Sequence, residues 1–373
     1  MEIIDLLRKC FGLQAVAVLL GNRKNLPSPV RSQFFMDGGQ YPLASIPIAE
    51  LRSVISNIPV VRRGTTAYAL DRGKDSLISI EPQGIDMSDF ITAAMLNNLK
   101  VLSSGGVQEY ANGIMNYMMN TAQRTTEALC AQALTGFISY PMKADGGQLD
   151  TYEIDYGTPA SVPDVDLSSA TTVMDFYNVL DSMYQTLQDA GYGDTMTVAA
   201  GKSAFSTALA LADNSRSNIL QVKIVNQGEV NIGGYTIKLQ SGKYRDINGQ
   251  MVSKIPDNAL CAADPSAGAN VKYLALDDIA NGLQPSPFAT NTDIKNNPSG
   301  LEIVGRSKPL PIVATSAICW AKVLPDTVTT LQSGRRKTVK AEQQTSMSDK
   351  LNQYRVSFSQ PATDNGTDTD MTE

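Results

Sequence analysis

The sequence predicts an α+β fold in which one α/β unit is joined to several extensions. From residue 171 onward, helical and strand-like patterns alternate over about 120 residues, a usual size for one α/β domain. Residues 107–137 carry apolar side chains at intervals of three and four, which predicts a long helix. Residues 60–81 contain two strand-like runs around a charged turn, which predicts a hairpin.

The composition excludes several catalytic and metal-binding arrangements. The chain has 373 residues and no histidine, which removes Ser-His-Asp triads, Cys-His dyads and histidine-ligated zinc. Its four cysteines are far apart and form no CxxC pair, so we expect reduced thiols rather than a disulfide framework. Charged residues make up 18% of the chain, against about 25% in an average soluble domain, which favours a surface that is largely interface.

The N-terminal region predicts a helix followed by an extended arm. Residues 1–25 have the apolar spacing of one amphipathic helix that ends at Gly21-Asn22. Their apolar run at 11–20 is too short to cross a bilayer, which needs about 20 residues, so we expect neither a targeting signal nor a membrane span. The following chain is expected to be extended because it is punctuated by prolines, namely Pro27, Pro29, Pro42, Pro47 and Pro59.

The remaining elements are predicted from local patterns. The long helix at 107–137 is expected to end at Gly136, and Arg124 and Glu127 are expected to pair on its exposed side. Residues 281–300 contain three prolines and are predicted to be a loop. The other predicted elements are a strand at 151–157, helices at 171–190 and 202–213, strands at 196–200, 222–225, 235–239, 260–262 and 272–276, and two closing strands at 301–313 and 317–323.

Short motifs that could carry chemistry are better explained as structure. The Gly-Lys-Ser run at 201–203 lies between a strand and a helix, but Met196 stands where a phosphate-binding loop needs a glycine. Residues 246–249 lack the spacing of an EF-hand calcium loop and fit a hairpin turn. The acidic pairs at 277–278 and at 164 and 166 are expected to be solvated surface.

No set of residues for catalysis, cofactor binding or metal binding remains, so we predict that the protein is not an enzyme. A basic cluster at 335–340 could contact nucleic acid or an acidic partner, although a solvated tail is the favoured interpretation. An isolated two-stranded hairpin is marginally stable in water, so the hairpin at 60–81 should lie on its own domain or on a neighbouring subunit. Helix, arm, hairpin and tail are extensions with which a subunit can interlock with copies of itself.

Five stretches carry a resemblance to a known family. They are YPLASIP at 41–47, ALTG at 133–136, YEIDYG at 152–157, SGKY at 241–244 with IPDN at 255–258, and SKPLPIV at 307–313. In this order they resemble the lambda-type major capsid protein family of tailed phages, which has the Hong Kong 97-type fold. The resemblance covers roughly residues 36–325 and leaves out the first 30 residues and the tail after 326.

The resemblance implies a layout for the chain. The implied parts are an N-terminal arm at 1–35, a peripheral domain with the long spine helix at 36–59, 84–150 and 300–325, an extended loop at 60–83, a connection at 151–170, an axial α/β domain at 171–299, and a polar C-terminal tail at 326–373. The extended loop would lie over the adjacent subunit. The residues expected to make that contact are Arg62, Arg63, Tyr68, Asp71, Arg72, Lys74 and Asp75.

The implied function is that of a major capsid protein. Such a chain would assemble as hexamers and pentamers into an icosahedral head that encloses double-stranded DNA, with a scaffold, a portal and a cement protein as further partners. It would be assembled in the host cytoplasm, reside in the virion and have no membrane partner. The net charge of −6 agrees with a wall that touches DNA weakly and without specificity, because tight wrapping of nucleic acid requires a basic surface.

Two other functions remain open at this point. The same fold serves encapsulin-like nanocompartments that enclose cargo enzymes, and the acidic tail and the family-like strands favour the viral function. The second alternative is a histidine-free α/β binding protein or enzyme, which would need a pocket lined by convergent polar groups. Assembly into very large particles would exclude that alternative.

Overall fold

The computed structural model describes residues 2–23, 26–47, 79–143, 149–168, 172–213, 220–246 and 248–325. Met1–Leu324 forms one compact unit, whereas the unit that follows, Pro325–Glu373, lies outside the described residues except for Pro325. The predicted extended loop at 60–83 also lies outside them, apart from its last five residues.

The described helices and strands follow one another along the whole unit. The helices are α1 (Glu2–Cys10), α2 (Leu13–Asn22), α3 (Pro29–Phe34), α4 (Ala93–Leu99), α5 (Ser104–Ala133), α6 (Val173–Asp189) and α7 (Lys202–Asp213). The first strands are β1 (Met36–Tyr41), β2 (Ile46–Pro47), β3 (Ser79–Ile80), β4 (Ile85–Thr92), β5 (Phe137–Lys143), β6 (Leu149–Asp155), β7 (Ala160–Ser161), β8 (Thr197–Ala200), β9 (Val222–Asn226) and β10 (Glu229–Ile232). The remaining strands are β11 (Tyr235–Leu239), β12 (Lys243–Arg245), β13 (Met251–Ser253), β14 (Ala259–Ala263), β15 (Asn270–Leu274), β16 (Ala289–Asn296), β17 (Ser299–Ser307), β18 (Pro309–Ile312) and β19 (Ile318–Lys322).

A seven-stranded mixed sheet forms the centre of the fold, with the strand order β7-β19-β14-β8-β11-β10-β9. Successive side chains of a strand point to opposite faces, and strand β8 shows this directly. Val198 and Ala200 lie in a core with helices α6 and α7, whereas Ala199 lies in a second core with the end of α5. The sheet is therefore covered on both faces, which explains its short and almost wholly apolar central strands.

Helix α5 is the spine of the molecule. Its 30 residues span about 45 Å. The Ser103 side chain accepts a hydrogen bond from the Gly106 N–H at its start, and Gly136 follows its end with a positive φ of 81°. The helix thus ends just before Gly136, as predicted. Only glycine fits at this position, because a side chain would collide with the Gly157 carbonyl.

The spine helix serves two cores along its length. Its first half contributes Val107, Met115 and Met118 to an N-terminal core with α1, α2, α4 and the sheet β16-β17-β4. Its second half contributes Leu129 and Cys130 to the core beneath the central sheet, together with α3 and the sheet β1-β15-β18. One helix thus connects the N-terminal core to the core beneath the central sheet.

The single helix predicted over residues 1–25 is wrong, because the chain breaks into α1 and α2 at Phe11 and Gly12. Phe11 is buried in the N-terminal core, and its carbonyl accepts a hydrogen bond of 2.7 Å from the Thr290 hydroxyl. The Phe11 carbonyl lies at the break between the two helices, and this hydrogen bond ties the break to strand β16. The break lets α1 pack onto the spine helix and α2 onto strand β16.

The predicted surface pairing of Glu127 with Arg124 is also wrong. Glu127 is only 3% exposed and lies where α3, the spine helix and strand β13 meet. Its carboxylate accepts hydrogen bonds from the N–H groups of Val30 at 2.9 Å and Arg31 at 3.0 Å. It also lies 2.9 Å from the Lys254 ammonium. The ammonium balances the charge of the buried carboxylate, and the two N–H groups supply its hydrogen bonds. A buried charge needs both kinds of partner.

Strand pairing near the end of the unit differs from the loop predicted at 281–300. That prediction is wrong, because the stretch contains strand β16, which pairs with β17 over its full length. Six of the eight residues of β16 are polar, and its second half is exposed, so the sequence lacked an apolar signal there. Strand β19 pairs with β14 and β7 in the central sheet.

Other predicted elements are confirmed. Helix α7 has the predicted bounds, and the predicted helices at 107–137 and 171–190 correspond to α5 and α6. Strand β11 also has its predicted bounds. The hairpin partner of the predicted strand at 151–157, strand β5, was missed, as were β1 and β10.

We predict that Glu127→Gln lowers the free energy of unfolding of the unassembled chain by about 3 kcal/mol, because it leaves the largely covered Lys254 ammonium without its counter-charge. Urea unfolding followed by circular dichroism measures this change. Glu109→Gln, on the exposed side of the same helix, is the matched control and should change it by less than about 0.5 kcal/mol. Equal effects of the two substitutions would contradict the assignment.

A second prediction concerns Asp264, which fixes the turn between α6 and β8. Burial raises its pKa, but hydrogen bonds from the Thr195 hydroxyl, Ser266 and the Gly193 N–H outweigh burial and lower the pKa from 3.8 to about 2. A lowered pKa means that the ionised carboxylate stabilises the fold above pH 3.8, and that this contribution disappears as the pH falls through 2. Asp264→Asn should therefore cost about 2 kcal/mol at pH 7, and the difference from the unsubstituted chain should shrink towards pH 2.

Unfolding measurements between pH 7 and pH 2 check this expectation. Asp189→Asn, exposed at the end of α6, serves as the control and should show no comparable pH-dependent difference. A destabilisation by Asp264→Asn that stays constant over the whole pH range would show that the carboxylate charge is not what stabilises the turn.

Candidate assembly surfaces

The residues predicted to contact a neighbouring subunit, Arg62, Arg63, Tyr68, Asp71, Arg72, Lys74 and Asp75, lie outside the described residues. The chain on either side of them is described. Strand β2 pairs with β3 in antiparallel register, with Ile46 opposite Ile80 and Pro47 opposite Ser79. Ile46 is fully buried in the core beneath the central sheet. Residues 48–78 therefore begin and end at one anchored pair of strands, which we call the loop root.

A cleft of about 610 Å³ lies beside the loop root. Its wall includes Gln83 and Asp86 from the chain that leaves the root, Tyr140 and Tyr152 from the hairpin β5-β6, and Arg306 from β17. The cleft is open to solvent and combines aromatic rings with both signs of charge. It is a surface recess next to the root rather than an enclosed substrate pocket.

Ion pairs fasten the elements around this cleft. The Arg306 Nη1 lies 2.9 Å from Asp278 Oδ2, and the Lys308 ammonium lies 3.0 Å from Asp277 Oδ2. Asp86 Oδ2 lies 3.5 Å from Arg306 Nε, too far for a strong hydrogen bond. Burial raises the pKa of the Asp86 carboxyl, while the neighbouring Arg306 opposes that shift. These charges join β4, β17 and the loop at 277–284 into one rigid support.

The prediction that the acidic pair at 277–278 is solvated surface is therefore wrong for one member. Asp277 is exposed, but Asp278 is buried, and its second oxygen accepts a hydrogen bond from the Ala280 N–H at 2.9 Å. No local pattern indicates this burial, because the partner Arg306 lies on a strand 28 positions later. The acidic residues Asp164 and Asp166 are exposed, as predicted.

The Gly-Lys-Ser run at 201–203 and the turn at 246–249 have structural roles, as predicted. Gly201 packs so closely against the Pro256 carbonyl that no side chain would fit, and the Ala204 N–H of α7 donates to the Asp257 carbonyl. The backbone at the start of α7 therefore packs against the chain at Pro256 and Asp257 and donates a hydrogen bond to it. Strands β12 and β13 form the predicted hairpin around residues 246–249, with the Gln250 N–H bonded to the Asp246 carboxylate at 2.7 Å.

The thiols and carboxylates of the described residues form no reactive or metal-binding cluster. All four cysteines are free and buried, and burial raises the pKa of Cys130, Cys261 and Cys319. Within the described ranges, no group of three or more cysteine and acidic side chains is placed to hold a metal ion. In the same part of the chain, no helix combines the length and apolar character that crossing a membrane requires.

Comparison with known proteins identifies relatives of this architecture. The family model described as phage major capsid protein E matches residues 13–323. The crystal structure of the assigned capsid protein of a prophage of E. coli CFT073 is similar with a TM-score of 0.54 and 16% sequence identity, over 83% of this chain and 98% of that one. The capsid of an empty GTA particle gives a TM-score of 0.45 and 11% identity, over 81% of this chain and 92% of that one.

A third structure, the mature capsid of bacteriophage PhiM1, gives a TM-score of 0.43 and 11% identity, over 82% of this chain and 90% of that one. No curated protein matches the sequence significantly. The likeness to the prophage capsid protein confirms the Hong Kong 97-type fold. The family match begins at residue 13, so it includes α2 and α3, which the sequence resemblance left out.

The family match marks a structural component of the virion. The viral function is favoured over the nanocompartment by the family that matches. Because that match extends over most of the chain, the protein belongs to the phage major capsid protein E family.

Proposed function

We propose that this chain assembles as hexamers and pentamers into an icosahedral phage head that encloses double-stranded DNA, and that it catalyses no reaction. The observation that carries the proposal is the family match over residues 13–323. The anchored loop root supports it, because a segment of 31 residues that leaves and returns at one strand pair can reach over a neighbouring subunit.

The layout that we propose for the subunit follows the resemblance, with changes at β16, at β19 and in the N-terminal arm. The peripheral domain contains the N-terminal core and the spine helix, and it includes β16 as well as β17. The axial domain contains α6, α7 and the central sheet, and it includes β19. The N-terminal arm is, in this proposal, two packed helices and α3 rather than a free extension.

The loop at 60–83 is proposed to lie over the adjacent subunit. Its contacts would come from Arg62, Arg63, Tyr68, Asp71, Arg72, Lys74 and Asp75. Each exposed ion pair of this kind stabilises by less than about 1 kcal/mol. A shell held by many such contacts per subunit is strong as a whole, while a misplaced subunit can still dissociate during assembly.

The enclosed DNA is proposed to touch the wall weakly. The net charge of −6 and a sequence pI of about 4.9 would repel phosphate on average, which favours confinement over adhesion. A scaffold, a portal and a cement protein are proposed as further partners, on the ground that the family builds heads of tailed phages.

We predict that replacing residues 71–75 by a Gly-Ser turn of the same length leaves the chain soluble and folded but prevents closed shells. The replacement removes four charges from the tip of the loop and leaves the loop root intact. Negative-stain electron microscopy and sedimentation of the expressed chain measure the outcome.

The double substitution Arg72→Lys with Lys74→Arg keeps every charge and is the matched control, which should assemble normally. If the Gly-Ser variant forms particles of normal size and yield, the loop tip is not an assembly contact.

A further inference from the structure

We propose that the open edge of strand β9 binds a second copy of this chain, at the opposite edge of that copy's central sheet. The inference rests on the proposed function, because it describes how neighbouring subunits of one ring touch. The β9 edge is Val222–Asn226, and the β7 edge is the stretch 160–167. These are the two ends of the described seven-stranded sheet.

The β9 edge exposes apolar side chains where a sheet edge is usually protected. Ile224 is 69% exposed and Val225 is 45% exposed. Ile224 lies opposite Val230, which is fully buried against α6 and α7 in the core on that face. Ile224 therefore continues the apolar face of the sheet beyond the cover of the two helices. Within the described residues, β9 pairs on one side only, with β10.

The β7 edge is built in the opposite way. Strand β7 has two residues, after which the chain continues along β19 with hydrogen bonds from the Val162 N–H to Trp320 and from the Val165 N–H to Lys322. Pro163 has no N–H to offer, and charged residues follow it. Short strands, proline and charge are the means by which proteins prevent a sheet edge from pairing. This edge is thus suited to side-chain contact rather than to extension of the strand ladder.

The two edges complement each other in charge and in apolar character. The β7 edge presents Asp164 and Asp166 on either side of Val165, which is 37% exposed. The β9 edge presents the exposed Lys223 beside Ile224. Glu229, the acid nearest to β9 along the chain, accepts a hydrogen bond of 3.0 Å from the Asn226 side chain within its own hairpin. Lysine facing two aspartates, with isoleucine facing valine, is a matched pair of surfaces.

The position of the edges determines the kind of assembly. They lie at opposite ends of one sheet, about 29 Å apart at about 4.8 Å per strand. A contact between two different patches is head-to-tail, and repetition of such a contact produces a closed ring when the rotation between subunits is suitable. A second copy of the chain therefore fits the β9 edge better than an unrelated partner, because the chain itself carries the complementary surface.

A charge exchange tests the proposal in the full chain. Lys223→Glu alone, and Asp164→Lys with Asp166→Lys alone, should each lower the fraction of protein that sediments as particles by about tenfold or more, since like charges then face each other. The combination of all three substitutions should restore most of that fraction. Assembly that is unaffected by either set, or no recovery in the combination, overturns the proposal.

An apolar substitution provides the second arm of the test. Ile224→Asp should lower particle formation by a similar factor, whereas Ile294→Asp, at an exposed isoleucine of strand β16, is the matched control and should assemble normally. Equal loss in both variants would overturn the proposal. Thermal melting of each unassembled variant confirms that it is folded before its assembly is compared.

The outcomes also separate this inference from the proposed function. If the unsubstituted chain forms no particles, the proposed function fails. If it forms particles and every edge variant does so as well, only the edge contact is wrong. Normal shells together with lost binding of an added scaffold protein would assign the β9 edge to another partner and contradict the inference.

Discussion

The buried carboxylate of Glu127 joins three parts of the chain that are distant in sequence. It lies on the spine helix, accepts the first N–H groups of α3 and pairs with Lys254 at the end of the hairpin β12-β13. Its position is midway between the two cores that the spine helix serves. A buried charge tolerates little displacement, because every shift leaves a donor or an ammonium without its partner. The geometry of α3, the spine helix and the hairpin β12-β13 therefore depends on this one group.

Much of the fold could be predicted from local patterns, and the failures have identifiable physical causes. Helix α7 was predicted to the residue because its apolar spacing and its flanking glycine agree with its tertiary setting. Strand β16 was missed because half of it is exposed and polar, and its pairing with β17 determines its structure. Strand β1 contains two adjacent glycines and forms by parallel pairing with β15, which no local pattern reveals.

The candidate surfaces show the same division between local and tertiary information. The exposed acids at 164 and 166 could be predicted because polar residues near proline are usually solvated. The burial of Glu127 and of Asp278 could not, since both depend on cationic partners from distant strands or hairpins. The contact residues expected on the loop at 60–83 rest on the resemblance and on the anchored root, and they remain predictions.

The subunit separates its own stability from the stability of the shell. Three apolar cores and the Glu127 junction hold the single chain together, whereas the proposed contacts between copies use exposed loops, sheet edges and paired charges. Weak contacts repeated many times allow subunits to exchange until a closed shell forms. The central claim is that the chain is a self-assembling shell subunit. Electron microscopy of the purified full chain, combined with its sedimentation, tests it most directly: the account predicts closed particles of uniform size, and a chain that stays monomeric at high concentration would contradict it.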